Sequence, residues 1–138
     1  MRDVVFFCDR GLGRKVFPAP LRAAGLTLEL HDDHFPQEAQ DRDWLPIVGT
    51  KGWVVLTADG RIRYRGLETE ALMRAGVRCF VLAGIGAGHP QLAINLLQAL
   101  PGVEALLAEQ PGPFIAKVYR AGEIKIWLDY ASWKARQP

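Results

Sequence analysis

Cysteine is scarce in this chain, with two in 138 residues. Cys8 and Cys79 each sit inside an apolar run that reads as a strand, and neither belongs to a metal-type spacing. This argues against a disulfide-stapled fold and predicts buried thiols in a reducing compartment. Long hydrophobic runs are missing too. The longest, such as Cys79–Ala83, are strand-length and far too short to cross a bilayer, so no membrane partner is expected. Met1, Arg2 and Asp3 precede the first apolar run without a small-residue cleavage site, which predicts no signal peptide and a cytoplasmic location. Repeats, low-complexity tracts and linkers are absent, and the length suits one domain over residues 1–138. Neither sign of charge is in large excess: the formal net charge is +2, so the chain is not a polycation. What is present is a core, with 49% apolar residues, and an arginine-rich basic set. Twelve of the 17 basic residues are arginine, a side chain suited to planar phosphate contacts.

Apolar runs and helical stretches alternate. Val4–Cys8 is a continuous apolar run and reads as a buried strand. Gly11 and Gly13 break it, and Arg14–Ala24, with Pro18 and Pro20, predicts an irregular start and a short helix closed by Gly25. Thr27–His31 alternates like a strand. After a polar loop, Asp41–Val48 predicts a helix with Asp41 as N-cap, Asp43 in the first turn and Pro46 early enough to be tolerated. Trp53–Thr57 is the third strand, Arg61–Ala75 a helix capped by Gly76, and Val77–Ala83 the fourth strand. A Gly84–Gly88 turn leads into a helix over Pro90–Leu100, which Pro101 and Gly102 separate from a shorter one ending near Glu109. Phe114–Tyr119 and Ile124–Leu128 predict a terminal β-hairpin. The fold class is therefore α/β, a mainly parallel sheet covered by helices on both faces. Ligands of such sheets gather beyond the carboxyl ends of the strands.

At that address stand Asp9 after the first strand and Asp59 after the third, with Asp41 and Asp43 opening the helix between the second and third. Converging carboxylates repel: at about 4 Å and an effective dielectric near 20, each pair costs roughly 4 kcal/mol. A fold tolerates this when the pKa values rise or a cation neutralises the cluster. Oxygen ligands with open positions suit Mg²⁺ or Mn²⁺, and such a site suits phosphodiester hydrolysis. Taken singly, Asp9 and Asp59 read equally as turn formers, Asp41 is already explained as an N-cap, and Asp43 doubles as a helix-dipole partner.

Phe6-Phe7-Cys8-Asp9-Arg10-Gly11-Leu12-Gly13 with Leu21-Arg22-Ala23-Ala24-Gly25 resembles the opening of PIN-like domains of the VapC toxin type. The resemblance continues through Asp41-Arg42-Asp43-Trp44-Leu45 and Gly52–Asp59 to Arg61-Ile62-Arg63, about two-thirds of the chain in the family's order. It implies a three-layer α/β/α PIN-like fold and a Mg²⁺- or Mn²⁺-dependent ribonuclease acting on RNA. It further implies an antitoxin protein as partner; related toxins often dimerise, and the sequence leaves a homodimer or a monomer equally open. It carries over Asp9, Asp43 (or Asp41) and Asp59 as the acidic metal site, with Asp9, Asp43 and Asp59 as the catalytic acids. The chain departs from the pattern after the fourth strand, where PIN enzymes often add an acid and this sequence runs Gly-Ile-Gly-Ala-Gly. That departure supports the alternative of a non-catalytic PIN-like module binding RNA or protein.

Cations flank the acidic positions. Arg14 and Lys15 follow the first, and Arg61, Arg63 and Arg65 the third, as candidate RNA-backbone contacts, with Tyr64 as a base-stacking candidate. The competing expectation is a solvated helix face. His31 and His34 are expected in a solvated loop, Thr57 to close its strand, Trp44 and Trp53 to pack the core, and Trp127 and Trp133 to pack or mark an interface. A receiver-like phosphoacceptor would need an acidic pair at the first strand and a lysine after a late one. The chain offers a single Asp9 and no lysine in Ala83–Gly88.

Overall fold

The computed structural model describes residues 3–82 and 88–138. Its strands are β1 (Val5–Cys8), β2 (Thr27–Leu30), β3 (Val54–Thr57), β4 (Arg78–Leu82), β5 (Phe114–Val118) and β6 (Ile124–Asp129). They form one sheet in the order β2-β1-β3-β4-β5-β6. The first five are parallel, and β6 returns antiparallel to β5. The helices are α1 (Pro18–Ala23), α2 (His31–His34), α3 (Asp41–Thr50), α4 (Gly66–Ala75), α5 (His89–Glu109) and α6 (Tyr130–Ala135).

Successive strand residues point to opposite faces, and both faces are covered, which explains unbroken apolar strands in place of alternating ones. Phe6, Cys8, Leu56 and Phe80 belong to one core with residues of α1 and α5. Phe7, Val55, Cys79 and Val81 belong to the other, with α3, α4 and Trp133 of α6. The result is three layers with the sheet in the middle. Both thiols are free and buried, and burial pushes the Cys8 thiol up to about 12. Glycine sets the close approach of α3 to α4, because a Cβ on Gly49 would lie 2.5 Å from the Ala75 carbonyl oxygen.

Three expected elements are corrected. The helix read over Arg61–Ala75 is a 3-10 turn at Gly60–Arg63 followed by α4. Arg65 between them is extended, and the Thr69 hydroxyl donates to the Ile62 carbonyl at 2.6 Å to hold the corner. Pro101 and Gly102 do not end a helix, since α5 runs through both. A mid-helix proline costs about 3 kcal/mol, but Ala99 and Val103 on either side of it are buried in the same core. Gly102 instead admits the hairpin, whose Ile124 Cδ1 would stand 3.0 Å from an added Cβ. The third correction is α6, which the strand-rich reading of the last third did not anticipate. Asp129 caps it, accepting from the Ser132 N–H at 2.8 Å. α5 also has the length and apolar composition of a membrane span, which the short apolar runs did not suggest; here its buried stripe covers the sheet. The turn read over Gly84–Gly88 lies outside the described residues except for Gly88, which caps α5.

Candidate active site

Neighbouring parallel strands β1 and β3 end side by side, with Cys8 opposite Leu56. The next residue, Asp9, is still tied to the sheet by its N–H to the Leu56 carbonyl at 2.9 Å. Thr57, buried at the end of β3, does more than close the strand. Its hydroxyl donates to Asp9 Oδ2 at 2.9 Å and accepts the Asp59 N–H at 3.1 Å. One side chain thus fixes both acidic positions relative to each other. Each aspartate also starts a 3-10 turn: Asp9 Oδ1 accepts the Arg10 N–H at 2.8 Å, and Asp59 Oδ1 accepts the Arg61 N–H at 3.0 Å. The turn-forming role and a place in the cleft therefore coexist in the same residues.

A cleft of about 780 Å³ opens over these strand ends, with Asp9, Asp41 and Asp59 in its wall. Asp41, the first residue of α3, is lifted to about 6 by burial, then by the charges of Asp9, Glu68 and Asp59, with Arg65 pulling the other way. The acidic groups share one field. The structure exchanges the places expected within the Asp41–Asp43 pair. Gln40, not Asp41, is the N-cap of α3, and Asp43 Oδ2 accepts the Gln40 N–H at 3.1 Å in a capping box. Asp43 does not line the cleft; Asp41 does. Asp129 is occupied as the α6 cap.

Of the expected cations, Arg61 and Arg65 line the cleft and pair with Asp59, at 3.3 Å to Oδ1 and 2.9 Å to Oδ2. Arg63 stacks between Tyr64 and Trp127. Arg14 and Lys15 do not line it, and Arg14 is bonded to Asp33 at 2.6 Å. His31 leaves its expected solvated loop for an aromatic cluster with Phe7, Phe35 and Trp44, and its Nδ1 lies 2.9 Å from Asp32 Oδ1. Among the described residues, no three His, Cys, Asp or Glu side chains close on one point as a metal cage.

Sequence reading missed several members of the wall. His89 opens α5 with Nε2 3.0 Å from the Gly11 carbonyl oxygen, and Gly13, at φ +78°, leaves room for its ring. Lys117 of β5 and Trp127 of β6 line the cleft from the hairpin side. Glu68, which is not in the wall but whose charge helps lift Asp41, was detectable as an acid in the first turn of the helix after the third strand. His89, Lys117 and Trp127 become neighbours of Asp59 only through topology.

The family described as PIN like domain matches residues 4–84, a stretch that carries Asp9, Asp41, Asp43 and Asp59. Over 124 residues the chain is 28% identical to a Mycobacterium tuberculosis (strain ATCC 25618 / H37Rv) protein named "Putative ribonuclease VapC45", covering 87% of this chain and 89% of that one. No solved structure is significantly similar.

Proposed function

This chain belongs to the PIN-like domain family, and from that premise we propose that it is a divalent-metal-dependent endoribonuclease. Asp9, Asp41 and Asp59 carry the metal site, with Asp43 supporting the helix that presents Asp41. The observation that carries this reading is the Thr57 hydroxyl, which joins Asp9 to the Asp59 backbone at the ends of two adjacent strands. A link of that kind orients carboxylates more firmly than turn formation requires.

The donor set fits Mg²⁺ or Mn²⁺. All three candidates offer hard carboxylate oxygens, and Asp41 is lifted first by burial and then by the negative charges of Asp9, Glu68 and Asp59. A bound ion would polarise a phosphodiester and make water a stronger nucleophile at neutral pH. The chain supplies the rest. Arg10 N–H and Thr57 hold Asp9 in one orientation. Arg61 and Arg65 neutralise Asp59 until an RNA phosphate competes for their guanidinium groups, which bind phosphate in a planar fork. Arg10 and Lys117 extend the cationic rim along the backbone path.

The purified protein should cut a mixed set of RNAs with Mn²⁺ or Mg²⁺ and not with EDTA. Asp9→Asn should lose on the order of a hundredfold or more of that activity while remaining folded. Full activity in Asp9→Asn ends this assignment. The reading extends to a toxin restrained by an antitoxin protein: expression of the wild-type chain should arrest growth, and expression of Asp9→Asn should not.

A non-catalytic RNA- or protein-binding module is the second reading, favoured by the two arginines already on Asp59. Calorimetry separates the two. Mn²⁺ uptake that Asp9→Asn and Asp41→Asn weaken supports the nuclease, and no uptake supports the module.

A further inference from the structure

The hairpin wall of the cleft has a composition the acidic site does not explain. β5 and β6 pair Ala116 with Ile126 and Ile115 with Leu128. Trp127 is therefore the extra residue of a β-bulge, a device that re-aims a side chain and bends its strand. The bulge turns a large, half-buried indole into a cleft whose wall, among the described residues, holds no other aromatic side chain but the His89 imidazole. Its ring edge reaches the backbone next to Asp59, because a Cβ on Gly60 would lie 3.7 Å from Trp127 Cη2. Two cations sit over the ring, Arg63 with Cζ 3.7 Å from the centroid and Lys117 with Nζ 4.8 Å from it. Tyr64 backs Arg63 from its own side, 4.5 Å from the guanidinium carbon to that ring.

From this arrangement we propose that Trp127 is a stacking platform for one nucleobase of single-stranded RNA, held beside the phosphate at the acidic site. This rests on the nuclease reading and deepens it. Part of the indole already packs against the core; the part left exposed gains further burial when a flat partner covers it, and a base is the flat part of a substrate whose charged part the arginines hold. Arg63, packed between two rings, holds the indole in place. Lys117 is a single flexible ammonium over the same ring, so an arriving base replaces its ring contact and releases it to the adjoining phosphate. Gly60 places the ring within about one nucleotide of Asp59, so the stacked base belongs to a nucleotide flanking the bond to be cut. Stacking accepts every base, so the platform positions the strand and excludes paired RNA, whose bases are already stacked on each other.

The test uses a labelled single-stranded RNA of mixed sequence and the same strand with single abasic sites. Binding is read by anisotropy in Asp9→Asn protein, where the strand survives, and cutting is followed in parallel with wild-type protein and Mn²⁺. Trp127→Leu should weaken binding about tenfold and Trp127→Phe should recover most of it. One abasic position should weaken binding to the Trp127 protein by a similar factor and leave Trp127→Leu indifferent. A merely structural tryptophan would not produce that non-additivity. Equal abasic losses in both proteins, with metal-dependent cutting intact, overturn the platform and leave the nuclease standing. Neither binding nor cutting by wild-type protein overturns both.

Discussion

Asp41→Asn is the most quantitative test of the crowded cleft. Burial, then the charges of Asp9, Glu68 and Asp59, lift the Asp41 carboxyl from its ordinary 3.8 to about 6. An acid with a higher pKa folded than unfolded makes the folded state the stronger proton binder. Its stabilising contribution is complete below the ordinary value and is lost as pH rises from about 4 through about 6. Each tenfold change in the proton equilibrium is worth about 1.4 kcal/mol, which sets a ceiling of about 3 kcal/mol. Asp41 is only half-buried, and solvent screening brings this down to about 1 to 1.5 kcal/mol. For a chain of this length, roughly 4 °C of melting temperature accompanies each kcal/mol. Without divalent ions and near pH 7, Asp41→Asn should therefore melt about 5 °C above wild type, and the two should converge below about pH 4. Mn²⁺ should close the gap by stabilising wild type more, since saturation at about a hundred times Kd adds roughly 2.7 kcal/mol. Thermal scans from about pH 4 to 8 read all of this. Parallel curves, or a variant less stable than wild type near neutrality, refute the reasoning.

Asp43→Asn should move stability in the opposite direction, lowering it by about 0.5 to 1 kcal/mol through the weakened capping box, as denaturant melts would show. Thr57→Val keeps the shape of the side chain but strips a partner from both Asp9 and the Asp59 N–H; stability should fall by about 1 to 3 kcal/mol and RNA cleavage by about 10- to 100-fold. Gly49→Ala should cost about 1 to 3 kcal/mol in chemical denaturation, because the new methyl meets the Ala75 carbonyl and α3 must shift from α4. Reversing Arg61 and Arg65 to Glu should flatten the salt dependence of single-stranded RNA binding by a slope of about 1.4 or more, and an unchanged slope removes both from the phosphate path.

The centre of the sheet was readable because β1, β3 and β4 are nearly unbroken apolar runs between turn residues, and such runs demand two covered faces, while alternation marked β2. Asp9 and Asp59 were readable for the same reason, being tied to strand ends whose spatial position follows from parallel topology. Local chemistry misled where tertiary packing outweighed it. Pro101-Gly102 looks like a helix end, yet burial of Ala99 and Val103 on one core carries α5 through it. Within Asp41–Asp43, preference for an acidic N-cap pointed to the first residue, while Gln40 takes that position and frees Asp41 for the cleft. Trp127 was out of reach for another reason. Its direction depends on a register shift between two strands, and no periodicity within one strand records it.

The order of parts along the chain also sets the order in which the cleft can be assembled. The hydroxyl that joins the two acidic positions spans 48 residues, so the link forms only after β1 and β3 have paired. The opposite wall comes from Lys117 and Trp127, which emerge from the ribosome well after the acidic positions. An emerging chain therefore passes through a long interval in which Asp9, Asp41 and Asp59 are already made but no hairpin faces them. The complete cleft cannot form before β6 has been made.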